Sequence, residues 1–162
     1  MAEKTLDDLF LDTLKDIYYA ERQIVKNLPK MAKAATSPEL KAGFEQHQQE
    51  TEVQIERLQQ IFELIGKPAR GKTCDAILGI IEEGKSIIEE YEGSPALDAG
   101  LVAAGQAVEH YEIARYGTLK AWATQLGLDE AVTLLDATLQ EEIATDLKLT
   151  EVGTATVNQK AA

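Results

Sequence analysis

Apolar residues recur at intervals of three and four through four long segments of this 162-residue chain. This spacing places the apolar side chains on one face of an α-helix, and no segment shows the period-two alternation of a β-strand. Turn and capping residues divide the pattern into helices predicted at about 6–35, 37–65, 74–91, 95–125 and 129–153. The chain is therefore predicted to be all-α.

The connection between the second and third long helices is long enough to hold the short helix at 74–91. Two helical hairpins joined by one long crossover are typical of the ferritin-like topology. The predicted fold class is thus all-α, a ferritin-like four-helix bundle with an additional short helix in the crossover connection. We expect a single domain over residues 1–158 and a polar C-terminal tail, 154–162, that frays.

The composition argues against several classes of partner. The formal net charge of −12 would repel nucleic-acid phosphates and anionic lipid surfaces, so neither nucleic acid nor a membrane is expected as a partner. No stretch approaches the roughly 20 apolar residues of a membrane span. Cys74 is a single cysteine without an intramolecular partner, and residues 1–15 lack the features of a secretory signal. The expected location is the cytoplasm.

An acidic residue lies in the middle of the apolar face of every long helix. These acids are Glu21 on the first long helix, Glu50 on the second, Glu109 and Glu112 on the third, and Glu142 and Asp146 on the fourth. Burying an unpaired carboxylate costs several kilocalories per mole, and these faces carry no Lys or Arg that would compensate. We therefore expect the acids to bind metal ions.

The two hairpins repeat the arrangement of acids. Glu21 and Glu50 are 29 residues apart (50 − 21), and Glu112 and Glu142 are 30 apart (142 − 112). This repetition predicts a pseudo-symmetric site for two ions per chain, and a carboxylate-rich, histidine-poor set of ligands favours iron or manganese. The alternative is that some of the acids lie at the edges of the apolar faces, in solvent.

Two further residues of the inner faces have candidate roles in such a site. His47 lies one turn before Glu50 and is predicted to donate a hydrogen bond to a ligand carboxylate; a ligand or a core histidine are the alternatives. Tyr116 lies seven residues after Glu109 on the same face. It would support the site by hydrogen bonding or redox chemistry, or it is a packed core tyrosine.

Residues 66–73 (GKPARGKT) match the phosphate-binding pattern G-x-x-x-x-G-K-[ST]. The pattern binds phosphates when a buried strand leads into the loop, whereas here the loop follows an amphipathic helix. Pro68 also removes one amide that would face a phosphate. We therefore expect no nucleotide cofactor.

Four segments together resemble one bacterial family. They are DLFLDTLKDIYYAERQ, FEQHQQETEVQIERL, QAVEHYEIARYGTL and LQEEIATDLKLTE, which are similar to sequences of the YciE/YciF stress-response family within the ferritin-like superfamily. The resemblance covers nearly the whole chain. It implies a four-helix bundle with an added short helix, often dimeric, with a proposed di-metal centre and no firmly assigned reaction.

The sequence departs from the ferritin-like ligand pattern, in which two helices supply a glutamate and two supply a Glu-x-x-His pair. Glu21 and either Glu109 or Glu112 match the single glutamates, and Glu50 and Glu142 match those of the pairs. The two histidines are replaced, by Val53 and Thr145. Gln54 and Asp146, each four residues after its glutamate, are candidate substitutes.

Two functions follow as hypotheses. The first is a stress-response protein with a di-metal site that acts on peroxide or oxygen, as a peroxidase or ferroxidase. The second is a non-enzymatic structural or oligomerising stress protein whose metal site is degenerate or empty. The missing histidines favour the second and the layered acids favour the first, so enzymatic activity stays open. A homodimer is expected because the third helix carries more apolar residues than a surface segment needs. The alternative is that this surplus is covered within the chain.

Overall fold

The computed structural model describes residues 3–162, and within that range it contains helices and no strand. The helices are α1 (Leu6–Ala34), α2 (Pro38–Leu64), α3 (Asp75–Glu90), α4 (Leu97–Gln125), α5 (Asp129–Val152) and α6 (Asn158–Ala161), with a π-helical turn (Gly153–Val157) before α6. This confirms the predicted all-α fold class, a helical bundle with one short crossover helix. The first two residues of the predicted domain, 1–158, lie outside the described residues.

The ends of the first two helices form where the sequence predicts them. The Thr5 side chain caps α1, and the Thr5 amide donates a hydrogen bond to the Asp8 carboxylate at 2.9 Å. The Ser37 side chain caps α2, with Pro38 in its first turn, where a missing amide hydrogen costs nothing. These caps satisfy amide groups that a helix leaves without partners.

The bundle consists of two helical hairpins. Helix α1 packs on α2 and α4 packs on α5; α2 also contacts α5, and α1 contacts α4. The crossover helix α3 covers α1 and α4 from outside. The centre of each long helix faces one shared core, whose largest fully buried side chains include Phe10, Ile17, Leu58, Leu101, Tyr116 and Leu135. The middle of the bundle is therefore where inward-facing acids can meet.

One acid ties the two hairpins together away from that centre. Asp98 begins α4 and is 8% exposed. Its carboxylate accepts hydrogen bonds from the Thr36 amide (2.8 Å), the Thr36 hydroxyl (2.6 Å) and the Ser37 amide (2.8 Å). The turn between α1 and α2 is thus held by a residue 61 positions further along the chain.

Replacing Asp98 with alanine should lower the free energy of unfolding by about 3 kcal/mol, because three donors lose a charged acceptor and two of them are backbone amides. Urea unfolding followed by circular dichroism measures the change. Asp75→Ala, at an exposed acid in the first turn of α3, is the matched control and should change stability by about 0.5 kcal/mol or less. Equal effects of the two substitutions would contradict this role for Asp98.

The structure differs from the prediction at the C-terminus. Residues 154–162 were expected to fray, but the chain continues after α5 as the π-helical turn and α6. Val157 is 2% exposed, and this segment contacts α4. Gly153 lets the turn approach α4 closely, since a Cβ there would lie 3.3 Å from Val102. One buried valine in a polar tail is too weak a pattern to predict this docking.

The segment that matches the phosphate-binding pattern is an irregular connection between α2 and α3. The segment begins just after the end of α2, at Gly66, which has a φ of +64°. Gly71 packs against Tyr19, and the Lys72 amide donates to the Lys15 carbonyl at 3.1 Å. Its surroundings are therefore helical, without the strand that a phosphate loop requires.

Among the described residues, no helix is both long and apolar enough to cross a membrane.

Candidate metal centre

Four buried side chains from three helices meet in the middle of the bundle: His47 from α2, Glu109 and Glu112 from α4, and Glu142 from α5. Each offers one ligand atom, and these atoms all lie within 4.8 Å of one another. We call these four residues the buried cluster. Imidazole and carboxylate groups so arranged suit a divalent transition metal.

His47 is at the middle of the cluster. Its Nε2 atom lies 2.9 Å from a Glu109 oxygen, 3.8 Å from a Glu142 oxygen and 4.0 Å from a Glu112 oxygen. Its other ring nitrogen, Nδ1, lies 3.7 Å from Glu50. The imidazole therefore faces three buried carboxylates with one nitrogen and a more exposed carboxylate with the other.

Three further buried residues surround the cluster. Glu21 on α1 is fully buried and accepts a hydrogen bond from the Tyr116 hydroxyl. The Gln54 amide donates to Glu142, and also to Glu141 at 3.0 Å. The tyrosine and the amide thus orient two of the acids, as expected of groups that support metal ligands.

Many polar atoms in this region lack a hydrogen-bond partner of normal geometry. They are Glu21 Oε2, both His47 ring nitrogens, Gln54 Oε1, Glu109 Oε2, both Glu112 oxygens and Glu142 Oε2. Buried polar groups are nearly always paired, and each unpaired one costs about 1–3 kcal/mol. A cation bound among these oxygens would satisfy them, so the residues present fit a metal ion.

Burial changes the protonation of the acids. It raises the pKa of the Glu21 carboxyl to about 7. Burial and neighbouring carboxylates also raise the pKa values of Glu112 and Glu142. For His47, burial opposes the charged form, but the surrounding carboxylates outweigh burial and raise its pKa. Without a metal, these groups hold protons that a metal ion must displace.

The structure places some of the predicted ligands together and others apart. Glu109, Glu112 and Glu142 are in the buried cluster, and Glu21, Gln54 and Tyr116 adjoin it. Glu50 is half-buried at its edge, where Gln46 donates to it at 2.8 Å. Asp146 lies outside the cluster and contacts the exposed His110 at 3.1 Å.

The position of Glu50 has a physical reason in the register of α2. The buried stripe of this helix passes through His47, Thr51 and Gln54, whereas the predicted stripe contained Glu50 instead of Thr51. Because successive residues on a helix differ by about 100° around the axis, Glu50 lies at the side of the stripe. Val53, the residue at the position of a missing histidine, is 44% exposed.

His47 was predicted to donate a hydrogen bond to a ligand carboxylate, and in the structure it lies in the cluster itself. The available signal was its place on the apolar stripe one turn before Glu50. The repeated spacing of acids in the two hairpins drew attention to Glu50. In three dimensions the second hairpin supplies the three clustered glutamates, and the first hairpin supplies the histidine with Glu21 nearby.

The chain as a whole is similar to known proteins. Residues 5–162 match the model of the family described as "Domain of unknown function (DUF892)". The chain is 45% identical to Protein YciF of Escherichia coli strain K12 over 162 residues, which covers 99% of this chain and 98% of the relative.

Solved structures have the same fold. The E. coli stress protein YciF superposes with a TM-score of 0.92 at 44% identity, covering 96% of this chain and 99% of that one. YcfI from Rhodopseudomonas palustris, described as a proposed structural protein, superposes with a TM-score of 0.89 at 50% identity, covering 91% and 94%. The chain therefore belongs to the DUF892 family and is a homologue of the bacterial stress protein YciF.

Proposed function

We propose that this YciF-like protein binds iron or manganese at the buried cluster. The unpaired buried oxygens of Glu109, Glu112 and Glu142 carry this proposal, because a cation is a natural partner for carboxylates that are buried without other partners. Imidazole and carboxylate ligands are those that iron and manganese share in ferritin-like bundles. A second ion would use Glu21, which has one unpaired oxygen and interacts with Glu112.

The site's own residues define what a metal could do there. When bound, iron or manganese would supply redox chemistry toward peroxide or oxygen, which is the activity we propose. Gln54 holds one Glu142 oxygen and leaves the other free for an ion. Tyr116 holds one oxygen of Glu21 in the same way. The core around them excludes bulk water.

A structural role is the second candidate, and a specific contact favours it. The His47 ring, with its raised pKa, lies 2.9 Å from Glu109 and serves as a positive counter-charge inside the cluster. A protonated histidine can thus stand where a metal would. The relative YcfI, at 50% identity, is described as a proposed structural protein. In this case the bundle is a stress-response scaffold without turnover.

Metal analysis of the protein purified without an affinity tag separates these functions. We expect at least one iron or manganese ion per chain after growth with both metals. Saturation at 100 times the dissociation constant should add about 2.7 kcal/mol to stability, a rise in melting temperature of about 5–10 °C. A protein that stays metal-free after incubation with Fe²⁺ and Mn²⁺ would contradict the metal proposal and favour the scaffold.

The homodimer and the cytoplasmic location are also part of this proposal. Ile143 and Leu147 lie one turn apart on α5 with exposed fractions of 36% and 59%. Two adjacent exposed apolar side chains of this size support a surface that a second copy covers.

A further inference from the structure

An apolar cavity lies beneath the crossover helix, between α1, α3 and α4. It has about 50 Å³ of accessible volume. Its wall is built mainly of aliphatic side chains, including Ile24, Ile81, Ile88, Ala104 and Val108. Empty cavities with apolar walls stay dry and take up apolar molecules.

The cavity adjoins the buried cluster. Glu109, a cluster residue, forms part of its wall. Two other polar residues of the wall have partners elsewhere for their charged or amide groups. Lys85 is 45% exposed and contacts Glu82 at 3.4 Å, and the Asn27 amide donates to the Gln23 carbonyl of its own helix at 2.8 Å. The interior thus offers an occupant mainly aliphatic contacts, and Glu109 is the residue that this wall shares with the buried cluster.

We propose that this cavity is a binding site for a small apolar molecule of the size of a diatomic gas, placed next to Glu109. The volume argues for this size, because an engineered cavity that takes benzene has about 150 Å³. A polar reactant such as peroxide would lose its hydrogen bonds to water on entering such a wall. A role of the cavity as a store of apolar reactant for the metal centre rests on the proposed function. The binding of an apolar molecule in the cavity does not.

Xenon is the probe, because it is apolar and of similar size. Xenon titrated into the full-length, metal-free protein should shift the methyl NMR signals of Ile24, Ile81 and Ile88. The signal of Ile61, which is fully buried and is not part of the cavity wall, should not move. Ala104→Leu should abolish the shifts by filling the cavity. Ala121→Leu, at an exposed position of the same helix, should leave them unchanged.

Xenon shifts that are absent from the wild-type protein, or that persist in Ala104→Leu, would overturn the proposal. If Ala104→Leu does not fold, Ile88→Phe fills the cavity from the more exposed side of α3 and gives the same test. Xenon binding in a protein that takes up no metal would support the cavity and reject the metal centre beside it. Failure of this inference and failure of the proposed function are therefore distinguishable.

Discussion

Replacing Glu142 with glutamine should weaken iron or manganese binding by more than about 100-fold, because it neutralises a buried ligand, and loss of a mere supporting group already costs about 10–100-fold. The fold should survive. A glutamine has the same shape, and its carbonyl oxygen can accept the hydrogen bond that Gln54 donates to Glu142. Calorimetric titration with Mn²⁺ measures the affinity, and circular dichroism checks the helices.

Two matched variants make this experiment specific. Asp146 lies one turn further along α5 and contacts His110 outside the cluster. Asp146→Asn should therefore leave the metal affinity within a few-fold of wild type. Glu50→Gln, at the edge of the cluster, should have an intermediate effect. If Asp146→Asn removes metal as effectively as Glu142→Gln, the ligand set is the one expected from sequence spacing and the buried cluster is misassigned.

In the metal-free protein, Glu21→Gln should become more stable than wild type as the pH rises from about 4.5 to above 7. Burial raises the folded-state pKa of Glu21 from 4.5 to about 7. The folded chain therefore binds the proton more tightly than the unfolded chain does. Its stabilising contribution is complete below pH 4.5 and is lost as the pH rises through 7. The expected difference is about 3 kcal/mol at high pH.

The neighbouring groups modify this pH dependence. Glu112, Glu142 and His47 also have raised pKa values. Loss of their protons therefore also lowers the stability of the wild-type protein as the pH rises. The half-buried Glu50 has a lowered pKa, chiefly because of His47, and acts in the opposite direction. Urea unfolding of both proteins at a series of pH values, with a chelator present, measures the difference. A difference that does not grow with pH would mean that Glu21 is already ionised in the folded protein.

Bound metal should reverse the pH dependence of stability that is expected for the metal-free protein. Metal ligands must lose their protons, so metal affinity rises with pH. The stabilising effect of Mn²⁺ should therefore be larger at pH 8 than at pH 5.5, opposite in trend to the metal-free protein. The same unfolding series with and without Mn²⁺ shows whether the two trends cross.

Much of the fold was predictable because local signals and the global pattern agree. Thr5, Ser37 and Pro38 indicated the starts of α1 and α2, and the apolar stripes predicted which faces turn inward. The C-terminal segment was predicted less well because its helix depends on burial of Val157 rather than on any local pattern. Asp98, which holds the turn between α1 and α2 from the first turn of α4, was not identified because no short-range spacing connects residues so far apart.

The burial of four of the acids was predicted, and their grouping in space was not. Glu21, Glu109, Glu112 and Glu142 are buried as expected. Which of these acids lie close together depends on the rotation of each helix about its axis. A difference of one residue in α2 exchanges Thr51 for Glu50 on the inner face, and periodicity alone does not resolve such a difference.

The sequence by itself determined that the chain forms long amphipathic helices with acids on their buried faces, because helix periodicity and capping are local properties. Only the tertiary structure decided that His47 stands among Glu109, Glu112 and Glu142, while Asp146 turns away to His110. The packing of α2 against α5 and of α1 against α4 sets these positions. It does so because side-chain interdigitation fixes the rotation of each helix, and that information is shared among residues far apart in the chain.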